Sequence, residues 1–270
     1  MMHHSYTTTA NKLMAVLALV LLQACSTLVA TPQATKSEDD LSTTAAHAAW
    51  ARVLATHVNA QGQVDFAGLT RAPQDLHAYV RFVARVKSDD MANAQDRLAH
   101  HLNAYNALSM FNVIDLGIPA SNASLLQRYR FFISRKHTIG GQHISLYAYE
   151  NEVIRKLGEP RIHWALNCSS VSCPVLPREP FEGVRLEQQL ERDARLFFAD
   201  PRNMRIDALM QTVHLSEIFS FFPEDFAPAQ ATSISPHLIA YANRYAPVAA
   251  DPTWQVKFVP YDWTIANWRR

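Results

Sequence analysis

Leu98-Ala99-His100-His101-Leu102-Asn103-Ala104-Tyr105-Asn106-Ala107-Leu108-Ser109-Met110-Phe111-Asn112-Val113-Ile114 decides how this 270-residue chain folds. Large apolar residues fall on every side of a helix drawn through it: Leu98, Leu102, Tyr105, Leu108, Met110, Phe111, Val113 and Ile114. A helix apolar all round is a buried one, so the stretch predicts a central core helix. Asn93 is a good N-cap residue for it, and the helix closes at Asp115 ahead of Gly117. His100, Asn103, Asn106 and Asn112 fall inside the buried stretch. An unpaired buried amide costs about 1–3 kcal/mol, so each needs a partner. Asn103 and Asn106, spaced i, i+3, share a face. They read either as supports of a site or as clamps on a neighbouring loop.

Working outward, amphipathic spacing predicts helices over 44–57 (Ala48, Trp50, Val53, Leu54) and 76–86 (Leu76, Tyr79, Val80, Val83). The stretch 131–144 reads as a hairpin, with Gly140-Gly141 supplying the positive φ of a two-residue turn. A helix over 146–157 ends at Gly158, and a strand is expected over 162–166. A further helix starts near Leu186 and stops at Pro201, a short strand covers 213–215, and Ser216 is placed to cap a turn over 217–222. The last helix and strand fall at 237–245 and 256–259. Helices outnumber short strands and no βαβ alternation appears. The fold class expected is α+β, a helix-rich single domain around a small, mainly antiparallel sheet.

Apolar residues make up 49% of the chain, enough for a core, and Lys plus Arg number 25 against 24 acidic residues. So even a balance leaves no footprint for nucleic acid, which is excluded as a partner. The N-terminus departs from this. Lys12 precedes a ten-residue apolar run, 13–22. A spanning helix needs about 20 residues, so the run reads as the core of a signal peptide. It leads into Leu22-Gln23-Ala24-Cys25, which resembles a lipobox, the site at which bacterial lipoproteins are cut and the cysteine acylated. A plain signal peptide cut after Ala30 is the other reading. On the first, 1–24 is signal peptide, 25–44 a lipidated tether poor in large apolar residues, and 45–270 one globular domain. The chain is then exported and held by its lipid in the cell envelope, with Ser26 favouring the outer membrane. The membrane is then its partner through that anchor, and any ligand or protein partner stays open.

Seven glycines, none in a nucleotide-binding loop, and the absence of a Gly-x-Ser-x-Gly elbow, a His-Glu-x-x-His zinc motif or an EF-hand loop remove the commonest enzyme classes. No cofactor or metal is called for. What remains is Pro160-Arg161-Ile162-His163-Trp164-Ala165-Leu166-Asn167-Cys168-Ser169-Ser170-Val171-Ser172-Cys173-Pro174. As a strand, it would put His163 and Asn167 on one face and deliver Cys168 to a serine-rich loop containing Ser170. Cys168 and Cys173 are the two cysteines left after Cys25, and in an oxidising compartment a disulfide is the plain expectation. A thiol nucleophile with His163 as base is the alternative, and it requires the chain to bend, because five strand residues span about 16 Å. Metal ligation by His163, Cys168 and Cys173 matches no standard zinc spacing.

The run from Pro160 to Leu176 resembles the signature of the domain-of-unknown-function 547 family. Three further stretches are similar to that family: His101-Leu102-Asn103-Ala104-Tyr105-Asn106-Ala107-Leu108, Leu215-Ser216-Glu217-Ile218-Phe219 with Asp225-Phe226, and Tyr261-Asp262-Trp263. His101 stands where Trp or Phe is usual, and Asn151, after Tyr149-Glu150, stands where the family has His. The resemblance spans about 64–267 and implies one integrated domain, with no established activity attached. Two functions follow as expectations. One is an envelope domain that binds a ligand or partner, its loop stapled by Cys168–Cys173. The other is a thiol-dependent hydrolase or acyl transferase with Cys168 as nucleophile, His163 as base, Asn103 and Glu150 as orienting or oxyanion-stabilising groups, and Asn106, Asn167 and Ser170 in support.

Overall fold

The computed structural model of the protein describes residues 26–34 and 42–268. Its centre is the predicted buried helix. Ala94–Asp115 (α4) is capped by Asn93, whose side chain accepts from the Asp96 N–H at 2.8 Å, and every residue from Leu98 to Val113 is buried. Around it pack Thr43–His57 (α1), capped by Ser42, the short Phe66–Arg71 (α2), and Gln74–Arg85 (α3). Trp50 of α1 stacks on Tyr79 of α3 with ring centroids 5.3 Å apart, filling the floor of the main core.

Thr27–Leu28 (β1), Arg135–Ile139 (β2) and Gln142–Ser145 (β3) form one three-stranded sheet, with β1 parallel and β3 antiparallel to the central strand. Gly140 and Gly141 make the expected turn, with φ of 55° and 82°. The hairpin is shorter than expected at its start. The chain over Leu125–Arg128 (α5) and Tyr129–Ser134 is helical, the latter stretch wound in π fashion, and only then extends into β2. Part of the segment expected as a tether also joins the fold. Thr27 pairs with Arg135, Leu28 with Lys136, and Val29 is 4% exposed. A strand edge on β2 was open to it, which composition could not reveal. Cys25, the apolar run before it and residues 35–41 of the tether lie outside the described residues.

Met204–Asp207 (β4), Thr212–Ser216 (β5) and Gln255–Val259 (β6) make a second three-stranded sheet, β4 antiparallel and β6 parallel to β5. The α+β class holds, in a single domain, but the one mainly antiparallel sheet becomes two small mixed sheets. Leu186–Ala199, Ile218–Phe221 and Ser235–Ala242, helices α7, α8 and α9 (α6 being Leu146–Ala148), surround the second sheet. Their core is aromatic and centres on Trp164, stacked on Phe197 at 4.2 Å and donating from its Nε1 to the Tyr241 hydroxyl at 3.2 Å.

The strand expected over 162–166 is a 3-10 helix, Pro160–Trp164. Pro160 sits in its first turn and the Glu159 side chain accepts from the Arg161 N–H at 3.0 Å, which starts a helix rather than a strand. It sends Ile162 into the main core and Trp164 into the aromatic one. His163, Ala165 and Asn167 therefore do not line up on one strand face, and all three are buried.

The fully buried polar side chains of α4 find partners on other elements, except His100. Asn103 accepts from Trp50 Nε1 (3.0 Å) and from the Phe181 N–H (2.9 Å), and donates to the Phe181 carbonyl (2.8 Å). Asn106 donates to the Ala165 carbonyl (3.0 Å) and accepts from the Asn167 N–H (2.8 Å). Asn112 donates to the Phe131 carbonyl and accepts from Arg135, while His101 Nδ1 meets the Tyr149 hydroxyl at 2.7 Å. Asn103→Leu, which strands three buried partners, is expected to cost about 3 kcal/mol. Urea unfolding measures this directly, and an unmoved midpoint at unchanged slope would remove the clamp.

Candidate functional site

A cleft of about 480 Å³ opens between the two cores, a usual size for a small-ligand site. Its walls come from several elements, some of them held by α4. Tyr105 lies on α4 itself. Phe132 comes from the π-wound stretch Tyr129–Ser134, which Asn112 grips through the Phe131 carbonyl. Glu150 and Asn151 come from a second π-wound stretch, Tyr149–Ile154, which interrupts the helix expected over 146–157. π turns inside helices recur at functional sites because they redirect one side chain without ending the helix. His163 is brought by the 3-10 helix, Cys168 and Cys173 by the loop after it, and Phe221 and Phe222 by the end of α8.

The last wall is the C-terminal strap, which carries Tyr261 and Trp263. It runs extended along the cysteine loop: the Val171 N–H donates to the Thr264 carbonyl, the Ser172 N–H to the Asp262 carbonyl, and the Ala266 N–H to the Ser169 carbonyl. Within the loop, Asn167 accepts from the Ser169 N–H (2.7 Å) and donates to the Pro174 carbonyl (2.8 Å). Ser169 is held at φ 66°, a left-handed conformation that is strained for a residue with a side chain. Asn106, Asn167 and the strap together fix the backbone on both sides of Cys168.

Cys168 and Cys173 are free thiols in contact, not a bridge, and this corrects the expected staple. Their sulfurs stand 3.0 Å apart. The Cys168 N–H donates to Cys173 Sγ at 3.1 Å, Ser170 Oγ lies 3.3 Å from Cys168 Sγ, and the Tyr261 hydroxyl reaches both sulfurs, at 3.5 Å and 3.1 Å. The Tyr261 hydroxyl is placed to donate to a negative charge on either sulfur, while the Cys168 thiol donates to Ser170 Oγ. The Cys173 thiol hydrogen bond draws the Cys168 pKa down against burial, with Ser170 and Tyr261 adding to it. Burial and the neighbouring Cys168 hold the Cys173 proton on.

Opposite the sulfurs, Tyr105 donates its hydroxyl to Glu150 Oε2 at 2.9 Å. Burial pushes the Glu150 carboxyl upward, against the pull of its neighbour His163 and the Tyr105 hydrogen bond, and the neighbouring Cys168 pushes it further up. His163 is not among the partners of Cys168 Sγ. Its Nε2 meets Asp225 Oδ2 at 2.7 Å, and its ring stacks on Phe222 at 4.5 Å. Arg155 grips Asp225 with two hydrogen bonds (2.7 and 2.8 Å), and also reaches Glu224 and Asn151. Burial raises the Asp225 carboxyl, but the hydrogen bonds from His163 and Arg155 outweigh it and hold it down to about 2.

Of the residues expected at a site, the structure therefore brings together Cys168, Cys173, His163 and Glu150 on one cleft. Asn106, Asn167 and Ser170 hold the cysteine loop. Asn103 is not there: its amide is committed to Trp50 and Phe181, and it lines none of the cleft. Arg155, Asp225, Tyr105 and Tyr261 were not among the expected site residues. Asp225 and Tyr261 sit in stretches that the family resemblance singles out, which was the available signal for them. Among the described residues no group of three or more His, Cys, Asp or Glu side chains is placed to hold a metal ion, and no helix is long and apolar enough to cross a membrane.

Fold and site together define an α+β domain built around a cleft with a paired-thiol floor. Residues 89–198 match the family described as "Protein of unknown function, DUF547", which bears out the family resemblance over that stretch. The match is shorter than the 64–267 expected. It takes in the central helix, both π turns and the cysteine loop, and leaves out Asp225 and the strap. Searches of curated proteins and of solved structures each found no significant match.

Proposed function

We propose that the cleft is the active site of a thiol-dependent hydrolase or acyl transferase, with Cys168 as the nucleophile. The observation that carries this reading is the state of Cys168: an unbridged sulfur on a cleft wall, its thiolate favoured by Cys173, Ser170 and Tyr261. Its thiolate attacks the carbonyl carbon of an ester, thioester or amide. The acyl group passes to sulfur as the leaving group takes a proton, and water or a second nucleophile then releases it. Glu150 lines the same cleft with its carboxyl pushed upward by burial, the direction that favours a leaving-group acid. His163, oriented by Asp225 and Arg155, is the base available to the incoming nucleophile. The binding reading loses its main support with the staple gone.

The test is to mix the full chain with p-nitrophenyl acetate at neutral pH, quench in acid and weigh it. One acetyl group on Cys168 is expected. An unmodified Cys168, with release of nitrophenol no faster than in buffer, would overturn the proposal.

The setting proposed for this activity is the bacterial cell envelope, with Cys25 lipidated. Support comes from the apolar run at 13–22 and the Leu22-Gln23-Ala24-Cys25 stretch. Cys25→Ser is expected to abolish labelling by radioactive palmitate and to release the protein from the membrane fraction. Unchanged labelling would contradict the anchor.

A further inference from the structure

We propose that Cys168 and Cys173 form a reversible dithiol–disulfide couple that exchanges with small disulfides, Cys168 attacking and Cys173 resolving. The cleft thus has a second, two-electron chemistry. This shares the nucleophilicity of Cys168 with the acyl-transfer reading and does not depend on acyl transfer itself. It also differs from a structural staple, because the reduced pair already stands in a fully held loop.

The geometry meets the three requirements of such a couple. The first is a sulfur on the wall of a ligand-sized cavity, and both Cys168 (8% exposed) and Cys173 (7%) line the cleft. The second is a partner sulfur already in contact, and Cys173 Sγ lies 3.0 Å away. The third is a backbone that keeps the pair together without being pulled apart by the fold. Asn106 and Asn167 clamp one end of the loop, the strap pairs along it, and the Cys168 N–H points at Cys173 Sγ. The Tyr261 hydroxyl touches both sulfurs, so it can donate to whichever carries the charge as the reaction proceeds. The protonation pattern agrees, with the first thiol proton easily lost and the second retained until needed.

In the step, the Cys168 thiolate attacks one sulfur of a disulfide R–S–S–R, forming Cys168–S–S–R and expelling R–S⁻. That thiolate takes the Cys173 proton and leaves as R–SH. The Cys173 thiolate then attacks Cys168 Sγ, the bond to the second R–S breaks, and R–S⁻ leaves and picks up the proton first lost by Cys168. The protein dithiol is oxidised to a disulfide, and one small disulfide is reduced to two thiols.

The experiment incubates the fully reduced full chain with oxidised glutathione, quenches with an alkylating agent and weighs it. The wild type is expected to lose the mass of two hydrogens, carry no glutathione, and regain both thiols in dithiothreitol. Cys173→Ser is expected to retain one glutathione on Cys168, and Cys168→Ser to retain far less on Cys173. The wild-type rate of Cys168 alkylation should fall by at least about tenfold on oxidation, since a bridged sulfur is no nucleophile. A lasting glutathione adduct on the wild type would overturn the resolving role. Two thiols still free at every ratio of oxidised to reduced glutathione would overturn the couple, whether or not the variants fold. An acetyl adduct with no disulfide exchange would defeat this inference alone, and exchange with no acetyl adduct would defeat acyl transfer alone.

Discussion

Cys168→Ala is expected to abolish the acetyl adduct and to lower turnover of any acyl substrate by several orders of magnitude, toward the roughly 10⁶-fold that removal of a covalent nucleophile can cost. The fold should survive, because the loop is held by Asn106, Asn167 and the strap rather than by the sulfur. Glu150→Gln, which keeps the shape and removes the titrating proton, should cost less and should erase the limb of the pH profile that Glu150 supplies. Steady-state rates for the two variants across pH, with far-ultraviolet circular dichroism as the folding control, separate these effects. A Cys168→Ala protein within about threefold of the wild type would place the chemistry elsewhere, since losing a nucleophile costs far more.

Acid should unfold the protein well above pH 4. His100, His101 and His137 are each buried and each held down to about 4, chiefly by burial. Neither ring nitrogen of His100 meets a hydrogen-bond partner among the described residues, and Nε2 of His137 has none either. In the unfolded chain these rings titrate near 6.5, so between pH 6.5 and 4 the unfolded state binds more protons. Stability therefore falls as pH drops through that window, by roughly 1.4 kcal/mol per unit for each histidine. Summed over three, the loss is on the order of the whole 5–15 kcal/mol that holds a domain together. Glu150 and Asp193, both raised by burial, work in the opposite direction and soften the slope. Urea unfolding at stepped pH should show the midpoint collapsing between pH 6.5 and 4. His100→Leu should move that collapse to lower pH. A stability curve flat from pH 7 to 4 would mean the rings are paired or solvated.

The central helix was legible because its pattern leaves no face for water, and its amides were legible as clamps because a buried amide must be paired. The identity of what they clamp was not, since Phe181 lies 78 residues beyond Asn103 and Ala165 59 beyond Asn106. The 3-10 helix at Pro160–Trp164 was misread as a strand because a short apolar run suits either, and the decisive fact is that Ile162 and Trp164 belong to two different cores. Cysteine and histidine stood out by their chemistry, and Glu150 through the family-like stretch Tyr149-Glu150-Asn151. The pair Arg155–Asp225 joins residues 70 apart; the family-like Asp225-Phe226 marks one member, while Arg155 carries no local pattern that separates it from a surface ion pair. The cysteines were expected to bridge on compartment alone, whereas the loop that holds them is fastened by other bonds.

Cys168, 8% exposed on the cleft wall, stands as a free, activated thiol. The most direct measurement is its rate of alkylation by iodoacetamide in the reduced full chain at pH 6, followed by peptide mass spectrometry. Reaction faster than that of a small-molecule thiol, and confined to Cys168 over Cys173, is the predicted result. A Cys168 that reacts more slowly than the free thiol would contradict the account.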